Sequence, residues 1–245
     1  MKRLIVTLAA VLLFVQSHAQ KEEAPAFIKS YIVKWSPPSL YFGKFGIGSE
    51  YNFKKKKSVT FNIGIPVEKK LTFEIDDEDR KLKIKTFSAM GGYRMYLGKK
   101  PMKGLYFEPY LKYVDNEFVT NTEVEIDGTD RPFIVTSDYS GFGVGAQLGV
   151  QILIAKKIAI DFYFLGPEAN LSKHKLLAQE IGAGSPWNSS EAEDAEQEIK
   201  DFIEDIPLLK DNAEVSVNAA ARNVKLNYDG FLPGFRIGIS IGIKF

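Results

Sequence analysis

The sequence predicts an all-β chain: an eight-stranded antiparallel up-and-down transmembrane β-barrel with one helix in a long loop. Three observations predict it. Large apolar side chains recur at every second position through most of the chain. The connections between these alternating segments come in two kinds that take turns. No stretch after residue 19 approaches the roughly eighteen apolar residues of a spanning helix. If the chain crosses a membrane, it therefore does so as a closed barrel, because only helices and closed barrels satisfy every backbone group in lipid.

Residues 1–19 read as a secretory signal peptide rather than as fold. Lys2 and Arg3 give a positive start, residues 4–15 are apolar, and Ser17-His18-Ala19 places small residues before a cut ahead of Gln20. The barrel is then expected over residues 20–245. The chain has no cysteine, which closes the lipoprotein route and excludes disulfides and thiolate metal sites. Removing Lys2 and Arg3 from the 32 basic residues leaves 30 against 31 acidic ones, a formal charge of −1. Nothing clusters basic charge as a nucleic-acid surface requires, so no nucleic-acid partner is expected.

Eight segments follow in order. The first, residues 27–35, is the least regular, with Tyr31, Val33 and Trp35 as its apolar set. In the second, Phe45, Ile47, Tyr51 and Phe53 alternate with Gly46, Gly48, Glu50 and Asn52; in the third, Val59, Phe61, Ile63 and Ile65 alternate with Thr60, Asn62 and Gly64. The fourth places Phe87, Ala89, Tyr93, Met95 and Leu97 opposite Gly92 and Arg94. The fifth places Leu105, Phe107, Leu111 and Tyr113 opposite Glu108 and Lys112, with Pro109 arguing for a bulge or a weakened ladder. Residues 142–154 and 158–164 continue the pattern, the latter with Asp161 on its polar face. The last segment is the clearest: Phe235, Ile237, Ile239, Ile241, Ile243 and Phe245 against Arg236, Gly238, Ser240, Gly242 and Lys244.

Connections 54–57, 98–104 and 155–157 are short and lysine-rich; 36–40, 66–81, 119–137 and about 170–230 are mostly longer and varied. Tight turns on one side and longer loops on the other are how an outer-membrane barrel is built, with the long loops outside the cell. A soluble lipocalin-like barrel would also alternate, but with its apolar face inside. The polar face here is rich in glycine and carries charges of both signs. A soluble outer surface has little reason for glycine, whereas a narrow lumen needs room for long paired side chains. The apolar face is therefore expected outward. A buried lumen network is expected from Glu50, Arg94, Glu108, Asp161 and Arg236. Aromatics at segment ends suggest two girdles, Trp35, Tyr41, Tyr113, Tyr139 and Phe142 at one interface and Tyr51, Phe53, Phe107 and Phe245 at the other.

The terminal run ending in Phe245 looks like the signal by which barrel insertion machinery recognises its substrates. With residues 45–51 and 141–149, it makes the chain resemble a family of outer-membrane β-barrel proteins of unknown function, distantly like small OmpA- and OmpX-type barrels. The resemblance covers nearly everything after Gln20. It implies the outer membrane of a Gram-negative bacterium, with membrane lipid and the insertion machinery as partners. Loop 170–230 departs from the plainest members by its length.

Signals for chemistry are sparse. After the signal peptide His174 is the single histidine. Outer-membrane hydrolases use a histidine as general base, but no serine motif accompanies this one, and it reads as a loop residue. The acidic run Glu74, Asp76, Asp77, Glu78 and Asp79 offers hard oxygen ligands for calcium but lacks the spacing of a calcium loop, and reads as a solvated tip. The convincing helix lies in the long loop. Ser190 and Glu193 form a capping box, Ala192, Ala195, Ile199, Phe202, Ile203 and Ile206 an apolar stripe, and Pro207 a stop. The stripe is expected to pack over the barrel mouth, leaving an acidic outer face. The expected function is non-enzymatic, without cofactor or metal: a structural, adhesive or partner-binding role through the outer loops toward an extracellular protein or cell-surface partner. A narrow solute channel and a hydrolase using His174 are the alternatives.

Overall fold

The computed structural model describes residues 29–75, 78–182, 184–204 and 212–245, with side chains at 73–80 and 202–204 outside the description. The signal-peptide expectation falls outside these residues. Strands β1 (Ser30–Ser36), β2 (Lys44–Lys54), β3 (Lys57–Pro66) and β4 (Lys69–Ile75) come first. Next are β5 (Glu78–Tyr96), β6 (Gly104–Ile126), β7 (Thr129–Ile154) and β8 (Ile158–Glu180). Helix α1 (Ser189–Glu204), β9 (Ala213–Asn218) and β10 (Asn223–Lys244) complete the chain. The sheet runs β1-β2-β3-β5-β6-β7-β8-β10, and β10 pairs with β1, so eight antiparallel strands close a barrel. Strands β4 and β9 lie outside the ring, each paired with a taller neighbour, β5 and β10.

Closure removes every sheet edge from the lower part of the molecule. At the seam Phe245 N–H donates to Tyr31 O (2.9 Å), and their rings stack at 5.1 Å. The large apolar residues do face outward: Ile237 and Leu171 are each 69% exposed, and Phe61, Leu111, Phe142 and Phe235 are exposed beside them. On β6 this apolar outer row runs from Leu105 to Tyr113, about the 9–11 residues a tilted strand needs to cross a bilayer. No helix among the described residues is long and apolar enough to cross a membrane; the strands make the crossing.

Above that band the same strands continue with their faces exchanged. On β6 the outer row becomes Asp115, Glu117, Glu123 and Glu125, while the inner row becomes Phe118, Val124 and Ile126. Likewise β10 turns Lys225, Asn227 and Asp229 out and buries Val224, Leu226 and Tyr228. This far end, opposite the termini, is more ordered than the alternation indicated. The stretch 119–137 is a continuous β6–β7 hairpin that turns at Asp127 and Gly128, both with positive φ. Residues 66–81 hold the β4–β5 hairpin, and the helix-bearing connection 170–230 is flanked by strand on both sides. A search for outward apolar rows loses these strands where polarity inverts.

Helix α1 packs Ala192, Ala195 and Ile199 onto Ile126, Phe133, Ala178, Trp187 and Val224, covering the inner face of the far end. Its cap sits two residues earlier than expected. Asn188 Oδ1 accepts Glu191 N–H (3.0 Å) and Glu191 Oε2 accepts Asn188 N–H (2.8 Å), so asparagine rather than Ser190 forms the capping box. Pro207, Ile206 and the Phe202 and Ile203 side chains lie outside the described residues. Between β1 and β2 the wall is low: a 3-10 helix (Pro37–Phe42) ends at Gly43, whose φ of 66° and contact with the Ile84 backbone admit no side chain.

Pro109 interrupts the β5–β6 ladder between the Gly92–Tyr110 and Met95–Phe107 pairs, while the β6–β7 ladder runs through. A bulge lies elsewhere, in β8, where Phe164 and Leu165 both face outward. It shifts the inward parity from Asp161 and Tyr163 to Glu168, Asn170 and Ser172.

Candidate functional site

Inside the band, the lumen holds two layers of charge. In the layer nearer the termini, Arg94 Nε donates to Glu108 Oε2 (2.6 Å), and Nη1 to Asp161 Oδ2 (2.8 Å) and Glu50 Oε2 (3.2 Å). Lys34 Nζ donates to Glu50 Oε2 (2.7 Å), Asp161 Oδ2 (2.6 Å) and Gln151 Oε1 (2.6 Å). The remaining carboxylate oxygens are occupied by hydroxyls: Tyr96 on Glu50, Tyr106 on Asp161, Thr60 on Glu108. Glu50 and Glu108 are fully buried. Two cations against three carboxylates leave one negative charge, spread over nine hydrogen bonds to the carboxylates and ring contacts such as Arg94 over Tyr106 at 3.7 Å. Gly92 makes the cluster possible, since a Cβ there would strike Glu108 and Thr60.

Of the five expected residues, the structure gathers Glu50, Arg94, Glu108 and Asp161 into this layer. Arg236 stands higher and touches no carboxylate among the described residues: its Nε donates to Gln147 (3.0 Å), which in turn donates to Glu108 (3.2 Å). Lys34 was missed because the first segment was too irregular for its polar face to be read. Beneath the cluster, Ile32, Tyr96, Met102, Tyr106 and Ala159 form a buried plug, with Met102 folded in from the turn before β6. The lumen is thus shut toward the termini.

The upper layer contains Lys44, Lys112, Arg236 and Glu168. Glu168 bonds Lys112 and accepts from Tyr110 OH (2.8 Å); Lys44 Nζ reaches the Ser88 hydroxyl (3.1 Å); the Arg236 guanidinium lies 4.6 Å over the Tyr163 ring. A cavity of about 330 Å³ opens between the layers, floored by Arg94 and Asp161.

His174 sits on β8 above the band, facing inward, with Nε2 2.5 Å from Ser137 Oγ and its ring edge-on to Tyr139. This serine partner was invisible in the sequence because it comes from the neighbouring strand. Ser137 is buried, and among the described residues no carboxylate bonds the histidine's other nitrogen. Burial holds the His174 pKa below its ordinary value, against a smaller opposing pull from Asp138. Tyr139 belongs to this inward group rather than to the outer girdle, because the apolar-out parity of β7 puts even positions outside. Of the acidic run, Glu74 pairs with Asp79 along the backbone of the β4–β5 hairpin, and Asp76 and Asp77 lie outside the described residues. No group of side chains that could hold a metal ion occurs among the described residues.

No family model matches the chain, and no curated protein is similar to it. Among solved structures it is similar to Acinetobacter baumannii CarO, at 10% identity and a TM-score of 0.43 over 91% of this chain and 99% of that one. It is also similar to A. baumannii CarO2 (14%, TM-score 0.45, 89% and 97%) and to Neisserial surface protein A, NspA (13%, TM-score 0.25, 89% and 94%). The barrel itself stands on the ring of strands in this chain.

Proposed function

We propose that the protein is a closed, non-conducting and non-enzymatic barrel of the Gram-negative outer membrane. It acts through its far-end extension as a structural or partner-binding surface outside the cell, with bilayer lipid and the barrel insertion machinery as its other partners. The observation carrying this reading is the shut lumen: a saturated ionic layer above an apolar plug offers no aqueous path. The Ser137–His174 pair supports no hydrolase, since the serine is buried and the pair lacks an orienting acid. Phe245, at the closing seam, is the candidate assembly signal. A planar-bilayer recording of the folded protein tests this: no steady conductance steps are expected, and reproducible steps would favour the channel alternative. Outer-membrane fractionation with heat-modifiable gel migration is expected alongside; recovery as a soluble monomer would remove the membrane reading.

A further inference from the structure

The two charge layers are unlike each other. The lower one closes on itself, whereas the upper one sets three cations, Lys44, Lys112 and Arg236, against the single carboxylate of Glu168. Among the described residues no carboxylate bonds Lys44 or Arg236. Lys44 has a hydroxyl, and Arg236 has one amide oxygen and an aromatic face. Lys44 nevertheless lines the same cavity as Lys112, Arg236 and Glu168. The upper layer carries two more positive charges than negative, and the lower layer one surplus negative charge. The lumen therefore stays net positive inside a wall surrounded by hydrocarbon, which is costly unless something neutralises it. A cavity of about 330 Å³ lies directly among these groups.

We propose that this cavity is a binding site for a small oxyanion carrying one to two negative charges, of which inorganic phosphate is the simplest. Arg236 presents its terminal nitrogens as a planar fork suited to such oxygens, and Lys44 and Lys112 supply point charges. The ligand is a water-borne solute rather than a lipid, because the strand ring closes the cavity from the bilayer. It enters where the wall is lowest, since Pro38, Ser39 and Phe42 of the 3-10 connection line the same cavity. The floor of Arg94 and Asp161 makes it a blind pocket and not a conduit.

The test compares unfolding midpoints of the folded protein in zwitterionic detergent, in sodium phosphate and in sodium chloride of equal ionic strength. A saturable rise of about 5–10 °C is expected at a hundredfold excess over the dissociation constant. Lys44→Gln and Arg236→Gln should each weaken the apparent affinity at least tenfold, while exposed Lys225→Gln should leave it unchanged. If Arg236→Gln does not fold, Lys44→Gln decides, because removing it strands no carboxylate. Equal midpoints in the two salts would overturn the proposal. So would a rise that never saturates, as general salting effects give, or one that both cavity variants keep in full.

Discussion

Strands β6, β7, β8 and β10 pass through two surroundings without a break. In the lower one their outer rows are apolar and their inner rows charged; in the upper one the outer rows carry Glu117, Glu123, Lys173 and Lys225, and the inner rows build a conventional core under α1. The change occurs at one level. Asp115 pairs across to Ser140, Ser140 to Lys173, and Lys173 to Asp229, directly above Tyr113, Phe142, Leu171 and Phe231. One backbone geometry thus serves both, and the solvent on each side dictates which side chains it carries. Lipid demands apolar atoms outside and pairs the polar ones within; water reverses both demands. The stabilising interactions differ accordingly, being ionic and saturated below and apolar above.

That difference orders the expected effects of substitution. Glu108→Ala should be among the most damaging, at about 3–5 kcal/mol, because Arg94 Nε, Thr60 and Gln147 lose their shared acceptor in a dry lumen. Thermal unfolding should show it plainly, whereas Glu125→Ala on the exposed outer row of the extension should leave the midpoint unmoved. Trp187→Ala should cost about 3–5 kcal/mol in the upper core. Its effect should stay local: amides at 124–135 and 213–226 exchange faster, while gel migration of the barrel remains heat-modifiable. If both regions loosened together, the upper core and the ionic lumen would be one cooperative unit and not two. Ile237→Arg, at the middle of the outward row of β10, should cost about 2–4 kcal/mol of folding into bilayers. The same change at Asn227 on that strand, above the band, should cost little. The smallest effect is a pH dependence. His174 binds a proton less readily folded than unfolded, so stability of the far end is full above its ordinary pKa and declines as pH falls below about 6.5. His174→Gln should flatten that decline in exchange measurements on β8 and β10; an unchanged slope would assign it to other groups.

The legibility of the sequence follows the same division. The outward rows of the band were readable because lipid imposes a strict large-apolar alternation, and this gave the strand number and the facing. The extension looks like loops in the sequence because the apolar alternation stops short of it: at Tyr113 on β6, where polarity inverts, and at Phe164 on β8, where the bulge shifts the parity. In the lumen, Arg94, Glu50, Glu108 and Asp161 stood out as charges on polar faces. Their exact company did not, since Lys34, Gln151 and the Tyr96 and Tyr106 hydroxyls meet them only through ring closure. Arg236 shows the remaining limit: alternation gives the face of a residue but not its height, and one level up it meets Gln147 and Tyr163 instead of a carboxylate. Ser137 beside His174 is the same kind of cross-strand contact.

Facing inverts at a single level along continuous strands. The natural chain has no cysteine, so single cysteines carrying a nitroxide label can be placed at will. Collision rates with oxygen and with a water-soluble nickel complex, measured in reconstituted bilayers, then report lipid or water at each outward site. Labels at Val144, Phe162 and Ile237 should favour oxygen, and labels at Glu123, Lys173 and Lys225 should favour nickel, with the crossover between Leu171 and Lys173 on β8. Nickel-dominated collisions at all six sites would contradict the account.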